Sequence, residues 1–179
     1  ALTAPGVPDI YQGGVLWDLN MVDPDNRRPV DFDLRQRMLA EADQGLQIRE
    51  WTKNWQDGRI KLAIVAALLR CRRQYPDLFG LGSYEPIALE GALSQHLIGF
   101  TRRNGSHRCI VIVSRLFARL LGGASSYAGT VWGDMRLDAG PAAETLTNVL
   151  TGEAVSTSEG LPLSEILADL PAAVLLGHS

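Results

Sequence analysis

The sequence predicts an α+β chain, helical at first and then antiparallel β, with the change near residue 80. Three observations carry this. Ile60, Ile64, Ala67, Leu68, Cys71 and Tyr75 recur at helical spacing on one face. Beyond Phe79, short apolar runs alternate with Gly, Pro and Asn turns. Asn104-Gly105 lies between two such runs, which is a strong hairpin signal.

Taken in order, residues 7–12 form a strand candidate, opened by Pro5-Gly6 and Pro8 and closed by Gly13-Gly14. Pro8 has no amide donor, so it belongs at the start of such a strand or on an edge. Residues 23–33 are rich in Asp, Asn and Pro, which is loop chemistry. Asp33 is placed to cap a helix over residues 34–43, which Gly45 stops. Asp57 is placed to cap the next helix, which Pro76 ends. Leu62, Val65, Ala66 and Leu69 fill much of that helix's other side, so it reads as buried nearly all round. Arg70, Arg72 and Arg73 gather in its last turns, where cations suit the helix dipole. Strands are expected at residues 83–89, 96–103, 108–114, 131–138, 145–150 and 172–176, with a short helix in 164–170 stopped by Pro171. Strands so closely spaced predict an antiparallel sheet or sandwich.

Composition excludes several function classes. The 179 residues are 46% hydrophobic and 21% charged, with net charge -3, as in a soluble globular protein. The longest near-apolar run, residues 62–69, falls well short of the ~20 residues a spanning helix needs, so no membrane partner is expected. Residues 1–80 hold 11 Lys/Arg against 11 Asp/Glu, and residues 81–179 hold 6 against 9. Neither stretch is a basic footprint, so no nucleic-acid partner is expected. Cys71 and Cys109 cannot build a disulfide framework; they read as buried thiols, compatible with the cytoplasm. The start at Ala1, with no signal-peptide pattern, reads as a cut inside a longer protein.

Catalytic signatures are missing from the spacing. There is no GxGxxG, no P-loop, no zinc-type Cys/His spacing and no nucleophile elbow, so neither metal nor cofactor is expected. His96 and His107 could face each other across the predicted hairpin, more readily as a strand-end accident than as a metal site. One cluster stands out: Asp23, Asp25, Asn26, Arg27, Arg28 and Asp31 within nine residues. Carboxylates and guanidinium forks hydrogen-bond polyol ligands, or each other. A self-neutralising loop and a sugar or phosphate contact are both open on these grounds. Trp17 nearby could stack on a sugar ring or pack in a core.

The run from Pro5 to Gly13, PGVPDIYQG, resembles the eighth barrel strand of the α-amylase superfamily, glycoside hydrolase family 13. Leu16-Trp17-Asp18-Leu19 and the DPDNRRPVDF run from Asp23 to Phe32 resemble, more narrowly, the maltooligosyltrehalose synthase family. Asp57-Gly58-Arg59-Ile60-Lys61-Leu62, Tyr75-Pro76-Asp77-Leu78-Phe79, Trp132-Gly133-Asp134, Leu150-Thr151-Gly152 and Leu167-Ala168-Asp169-Leu170-Pro171 also fit. The resemblance implies an α+β fragment. Residues 1–79 would be the last strand and helices of an incomplete (β/α)8 catalytic barrel, and residues 80–179 a C-terminal all-β sandwich.

That family converts the reducing-end α-1,4 bond of a maltooligosaccharide to an α,α-1,1 bond by intramolecular transglucosylation, as part of trehalose biosynthesis. The resemblance places the catalytic carboxylates upstream, so no catalytic residue is assigned and the fragment alone is expected to be inactive. It favours sugar contact for Asp25, Asn26, Arg27 and Arg28, with Asp23 and Tyr11 as further candidates. The implied partners are a neutral maltooligosaccharide and the missing N-terminal barrel portion, with self-association if that portion is absent. The family usually has an acidic residue just after Tyr-x-Gly, where this chain has Gly14-Val15, which puts the loop's anchoring in question. Two other readings are a non-catalytic α-glucan-binding or interaction module, and a piece of another α-amylase-superfamily hydrolase or transglucosylase.

Overall fold

A computed structural model describes residues 1–19, 27–123, 127–138, 140 and 144–178. The chain is α+β, built on a mostly antiparallel sheet. Helices come first: α1 (Phe32–Gln44), α2 (Ile48–Lys53), α3 (Arg59–Gln74) and α4 (Pro76–Gly80). Strands β1 (Glu85–Pro86), β2 (Leu97–Asn104) and β3 (His107–Ser114) follow. Next come α5 (Phe117–Leu120), β4 (Arg136–Leu137), β5 (Thr145–Asn148), β6 (Ala154–Ser156), β7 (Leu161–Pro162), α6 (Leu163–Ile166) and β8 (Ala172–His178). Six strands form one sheet in the order β1-β2-β3-β8-β5-β6, and β4 pairs with β7 separately.

Local chemistry explains most element ends. α1 is capped by Asp31, whose side chain accepts from the Leu34 amide at 2.8 Å. Asp33, the expected cap, instead lies in the first turn, where a carboxylate still favours the helix dipole. Asp57 acts just outside α3, accepting from the Arg59 amide at 2.9 Å, while Gly58 takes the cap position at φ 82°. Pro76 both ends α3 and opens α4, because its missing amide costs nothing in a first turn. The hairpin forms at the expected place: Asn104 pairs with His107 across a two-residue turn in which Gly105 takes φ 56°.

The pleat of the sheet divides the core in two. Cys109 and Val111 of β3, Val174 of β8 and Phe100 of β2 face the helices, packing on Ala63, Leu68 and Cys71 of α3 and on Leu78 and Phe79. Ile110, Ile112, Ala173 and Leu175 face the other way, onto Trp132, Leu137, Leu161, Leu163 and Leu167. The Trp132 indole donates to the Tyr127 hydroxyl at 2.8 Å, which donates to the Leu167 carbonyl at 2.7 Å, so this buried polar chain is satisfied.

Arg102 of β2 has no side-chain exposure to speak of, at 0%, and points into the helical side. It donates to the carbonyls of Ser83 (2.6 Å), Gly82 (2.9 Å), Thr3 and Phe79 (3.1 Å each). Burial lowers its pKa, with the Arg72 charge adding to that. Arg72 of α3 donates to the carbonyls of Leu2 (2.9 Å) and Gly6 (2.7 Å). Two guanidiniums thus strap the N-terminal segment across α3 and the sheet.

Several expectations differ. Residues 7–12 form no strand: they pair with nothing described, and Val7 is 95% exposed. A strand needs a neighbour's amides and carbonyls, and none is offered there. The region 83–89 yields only β1, and 131–138 yields a 3-10 turn, Gly129–Trp132, before β4. α2, α4, α5, β6 and β7 go beyond the expectation; each is six residues or fewer. α3 is not buried all round: on its second side Leu62 is buried, Val65 and Ala66 are half-buried and Leu69 is exposed. His96 and His107 lie at opposite ends of the hairpin, since Leu97 pairs with Ser114 and Asn104 with His107. The ring facing His107 is His178 of β8, at 4.5 Å between centroids.

Candidate functional site

The turn from Tyr11 to Leu16 is closed by the Gly14 amide donating to the Tyr11 carbonyl at 2.9 Å. Gly13 takes φ 78°, and a Cβ there would meet the Val30 methyls at 2.8 and 2.9 Å, so the turn requires glycine at this point. Arg35 of α1 supplies the anchor. Its Nε and Nη2 donate to the Gly13 carbonyl at 3.1 and 2.8 Å, and its Nη1 donates to the Asp31 carbonyl at 2.9 Å. Gly14 and Val15 follow with no acidic side chain, and a guanidinium from the next helix holds the loop by its backbone. From the other side, Lys61 of α3 donates to the Leu16 carbonyl at 2.8 Å.

The turn borders an open recess of about 530 Å³, lined by Ala1, Leu2, Pro8, Asp9, Ile10, Tyr11, Gly14, Asp18, Lys61 and Val65. Its lining mixes apolar side chains with two carboxylates, a phenol and an ammonium, groups able to hydrogen-bond hydroxyls. Tyr11 is 58% exposed at its edge. Trp17, just after the turn, lies edge-to-face with Trp55, with centroids 5.9 Å apart. Lys61 stands 5.1 Å from the Trp17 centroid, a cation–π contact.

Of the sequence-derived candidates, Tyr11 lines the recess. Arg27 and Arg28 are exposed, precede the α1 cap, each have an interaction partner, and do not line it. Asp23, Asp25 and Asn26 lie outside the described residues. Sequence reasoning missed Asp18 and Lys61, which line the recess with Tyr11, Trp55, which meets Trp17, and Arg35, which holds the Gly13 carbonyl. Lys61 was hidden in a helical pattern, and its closeness to Tyr11 is a fact of packing rather than spacing.

A second recess, of about 500 Å³, lies where α1 meets the start of α3 and is lined by Glu41, Gln44, Trp51 and Arg59 among others. Arg59 bridges Asp57 at 2.8 Å and Glu41 at 3.3 Å. Burial pushes the Asp57 carboxyl up, but its hydrogen bonds and attraction to Arg59 outweigh that and hold it below its ordinary value. This network braces the helices. Among the described residues no group of three His, Cys, Asp or Glu could hold a metal ion, and no helix is long and apolar enough to cross a membrane. Burial pushes the Cys71 thiol up to about 11 and the Cys109 thiol up to about 12, so both are inert at neutral pH.

No protein-family model matches the chain. It is similar to two curated relatives, each called "Putative maltooligosyl trehalose synthase", from Mycobacterium tuberculosis strains CDC 1551 / Oshkosh and ATCC 25618 / H37Rv. Each is 37% identical over 176 residues, which is 98% of this chain and 19% of the relative. The crystal structure of maltooligosyl trehalose synthase superposes with a TM-score of 0.67 and 27% identity, over 99% of this chain and 20% of that one. The chain therefore spans about a fifth of the length of the proteins it matches, and it corresponds to them in both sequence and fold.

Proposed function

We propose that these residues are the C-terminal part of a maltooligosyltrehalose synthase-type enzyme and that the Tyr11 recess helps to hold its maltooligosaccharide. The observation carrying this is the 37% identity across 98% of the chain, joined to a shared fold. In that reading residues 1–79 complete a (β/α)8 barrel and residues 80–179 form the β-sandwich domain behind it. The unpaired, outward-facing Val7, Ile10 and Leu19 support the first assignment, because an extended apolar segment gains stability only when neighbours cover it.

The reaction is intramolecular transglucosylation of the reducing-end α-1,4 bond to α,α-1,1. It uses the retaining pattern of two carboxylates, which belong to the other four-fifths of the enzyme. This chain supplies binding. Tyr11, Asp9, Asp18 and Lys61 offer donors and acceptors to sugar hydroxyls, and the loop carrying Asp23, Asp25, Asn26, Arg27 and Arg28 offers more. Holding a chain end in register for attack on itself is a positioning task, and rigid hydrogen-bonding groups perform it. The substrate is neutral, which agrees with the small net charge of -3.

The test is a chimera in which this chain replaces the matching fifth of a Mycobacterium tuberculosis relative. With maltopentaose, loss of reducing ends without release of glucose is expected from the chimera, and no turnover from the 179-residue chain alone. A folded but inactive chimera, or turnover by the isolated chain, overturns the proposal.

A further inference from the structure

The geometry points to a second sugar contact beside the recess: we infer that Trp17 and Trp55 form a stacking corner for α-1,4-linked glucose units. A maltooligosaccharide too long for the Tyr11 recess would run onto it. The inference rests on the functional reading above and extends it to substrate length.

The four tryptophans divide sharply. Trp51 and Trp132 are each 2% exposed, whereas Trp17 is 45% and Trp55 is 52% exposed. The two outer indoles are nonetheless held in place. Their planes meet at 82°, and the Trp17 Nε1 donates to the Trp55 carbonyl at 2.5 Å. Lys61, itself tied to the Leu16 carbonyl, stands over Trp17. The Trp17 ring is thus fixed in orientation while still facing water, and the Trp55 ring packs against it edge-to-face, so an occupant that covers the pair gains their burial with little ordering cost.

A pyranose ring fits that description. It has an apolar C–H face of about the size of an indole and a rim of hydroxyls. Here the rim meets charge: Asp18 follows Trp17 and lines the recess, and Lys61 belongs both to the corner and to the recess. A right-angled corner with a charged border is poorly shaped for a helix or strand of another protein, which needs a continuous apolar area. The shared Lys61 makes recess and corner adjoining parts of one track.

Titration of the 179-residue chain with maltotriose and maltoheptaose, followed by tryptophan fluorescence and calorimetry, tests this, with cellohexaose as control. Saturable quenching by maltoheptaose is expected. Trp55→Ala should weaken it about three- to tenfold, the scale of one aromatic contact, and Trp55→Tyr should restore most of it. Tyr11→Phe should affect both sugars alike. Near-UV circular dichroism checks folding, and Trp17→Phe serves as a second variant. No quenching, or equal affinity in Trp55→Ala, overturns the inference. In the chimera, Trp55→Ala should raise KM for maltoheptaose and not for maltotriose; a lower Tm with both KM values unchanged assigns Trp55 to packing and also overturns it. An inactive chimera with binding intact defeats the enzyme reading alone, and an active chimera indifferent to Trp55 defeats the corner alone.

Discussion

Arg102→Met tests how the helices and the sheet are held together. In the native fold four backbone carbonyls, of Thr3, Phe79, Gly82 and Ser83, share this one guanidinium at 2.6–3.1 Å. Hydrogen bonds to a charged donor contribute about 1.5–3 kcal/mol each. Their sum is offset by several kcal/mol for taking the cation out of water. Methionine restores neither bonds nor charge, and it leaves the Thr3 and Phe79 carbonyls buried without a donor and those of Gly82 and Ser83 only partly open to water. The expected loss is about 3–5 kcal/mol, a large part of the 5–15 kcal/mol typical of a folded domain. Urea unfolding followed at 222 nm should show a lower midpoint with an unchanged m-value. Limited proteolysis should find the segment around Thr3 released first. Arg102→Lys should cost nearly as much, because an ammonium has three donors and no fork. A loss below about 1 kcal/mol in the methionine variant would refute the claim that these bonds join the two layers.

Arg35→Ala removes both donors to the Gly13 carbonyl and should cost about 1–2 kcal/mol; faster hydrogen exchange at the Gly14 amide is the local readout, and unchanged exchange there counts against the anchor. The two cysteines give a pH dependence. In the unfolded chain a thiol loses its proton near 9.0, whereas the folded state keeps those of Cys71 and Cys109 until about 11 and about 12. The folded state therefore binds more protons in that window, so stability is intact below pH 9 and falls as pH rises above it. The slope is roughly 1.4 kcal/mol per pH unit for each thiol. Urea midpoints from pH 8 to 10.5 should fall less steeply in a Cys71→Ala, Cys109→Ala double variant; identical slopes would contradict the burial of the thiols.

α1, α3, the hairpin and the change of regime near residue 80 are legible because periodicity and turn chemistry are local. Pro76, Gly45 and Asn104-Gly105 act through their own backbone preferences, and those act wherever the residues occur. What failed was decided at long range. Residues 7–12 look like a strand by composition, yet pairing depends on a neighbour. α1 starts at Phe32, two residues before the expected start, so Asp31 stands at the cap and accepts from the Leu34 amide while Asp33 falls inside the first turn. The site is legible in part: Tyr11 and Trp17 stand in recognisable motifs. Lys61 and Arg35 joined them only because α3 and α1 lie on either side of one turn.

β8 stands fourth in a sheet of six, between β3 and β5, although it is the latest strand in the sequence. Until it arrives, β1-β2-β3 and β5-β6 are two ribbons with no strand pairing between them, each presenting a raw edge. Assembly of the sheet must therefore wait for the most distant residues, which makes folding slow and nearly all-or-none. A ribosome that stalls before residue 172 releases two sticky edges instead of a smaller stable piece, and those edges invite pairing with other chains.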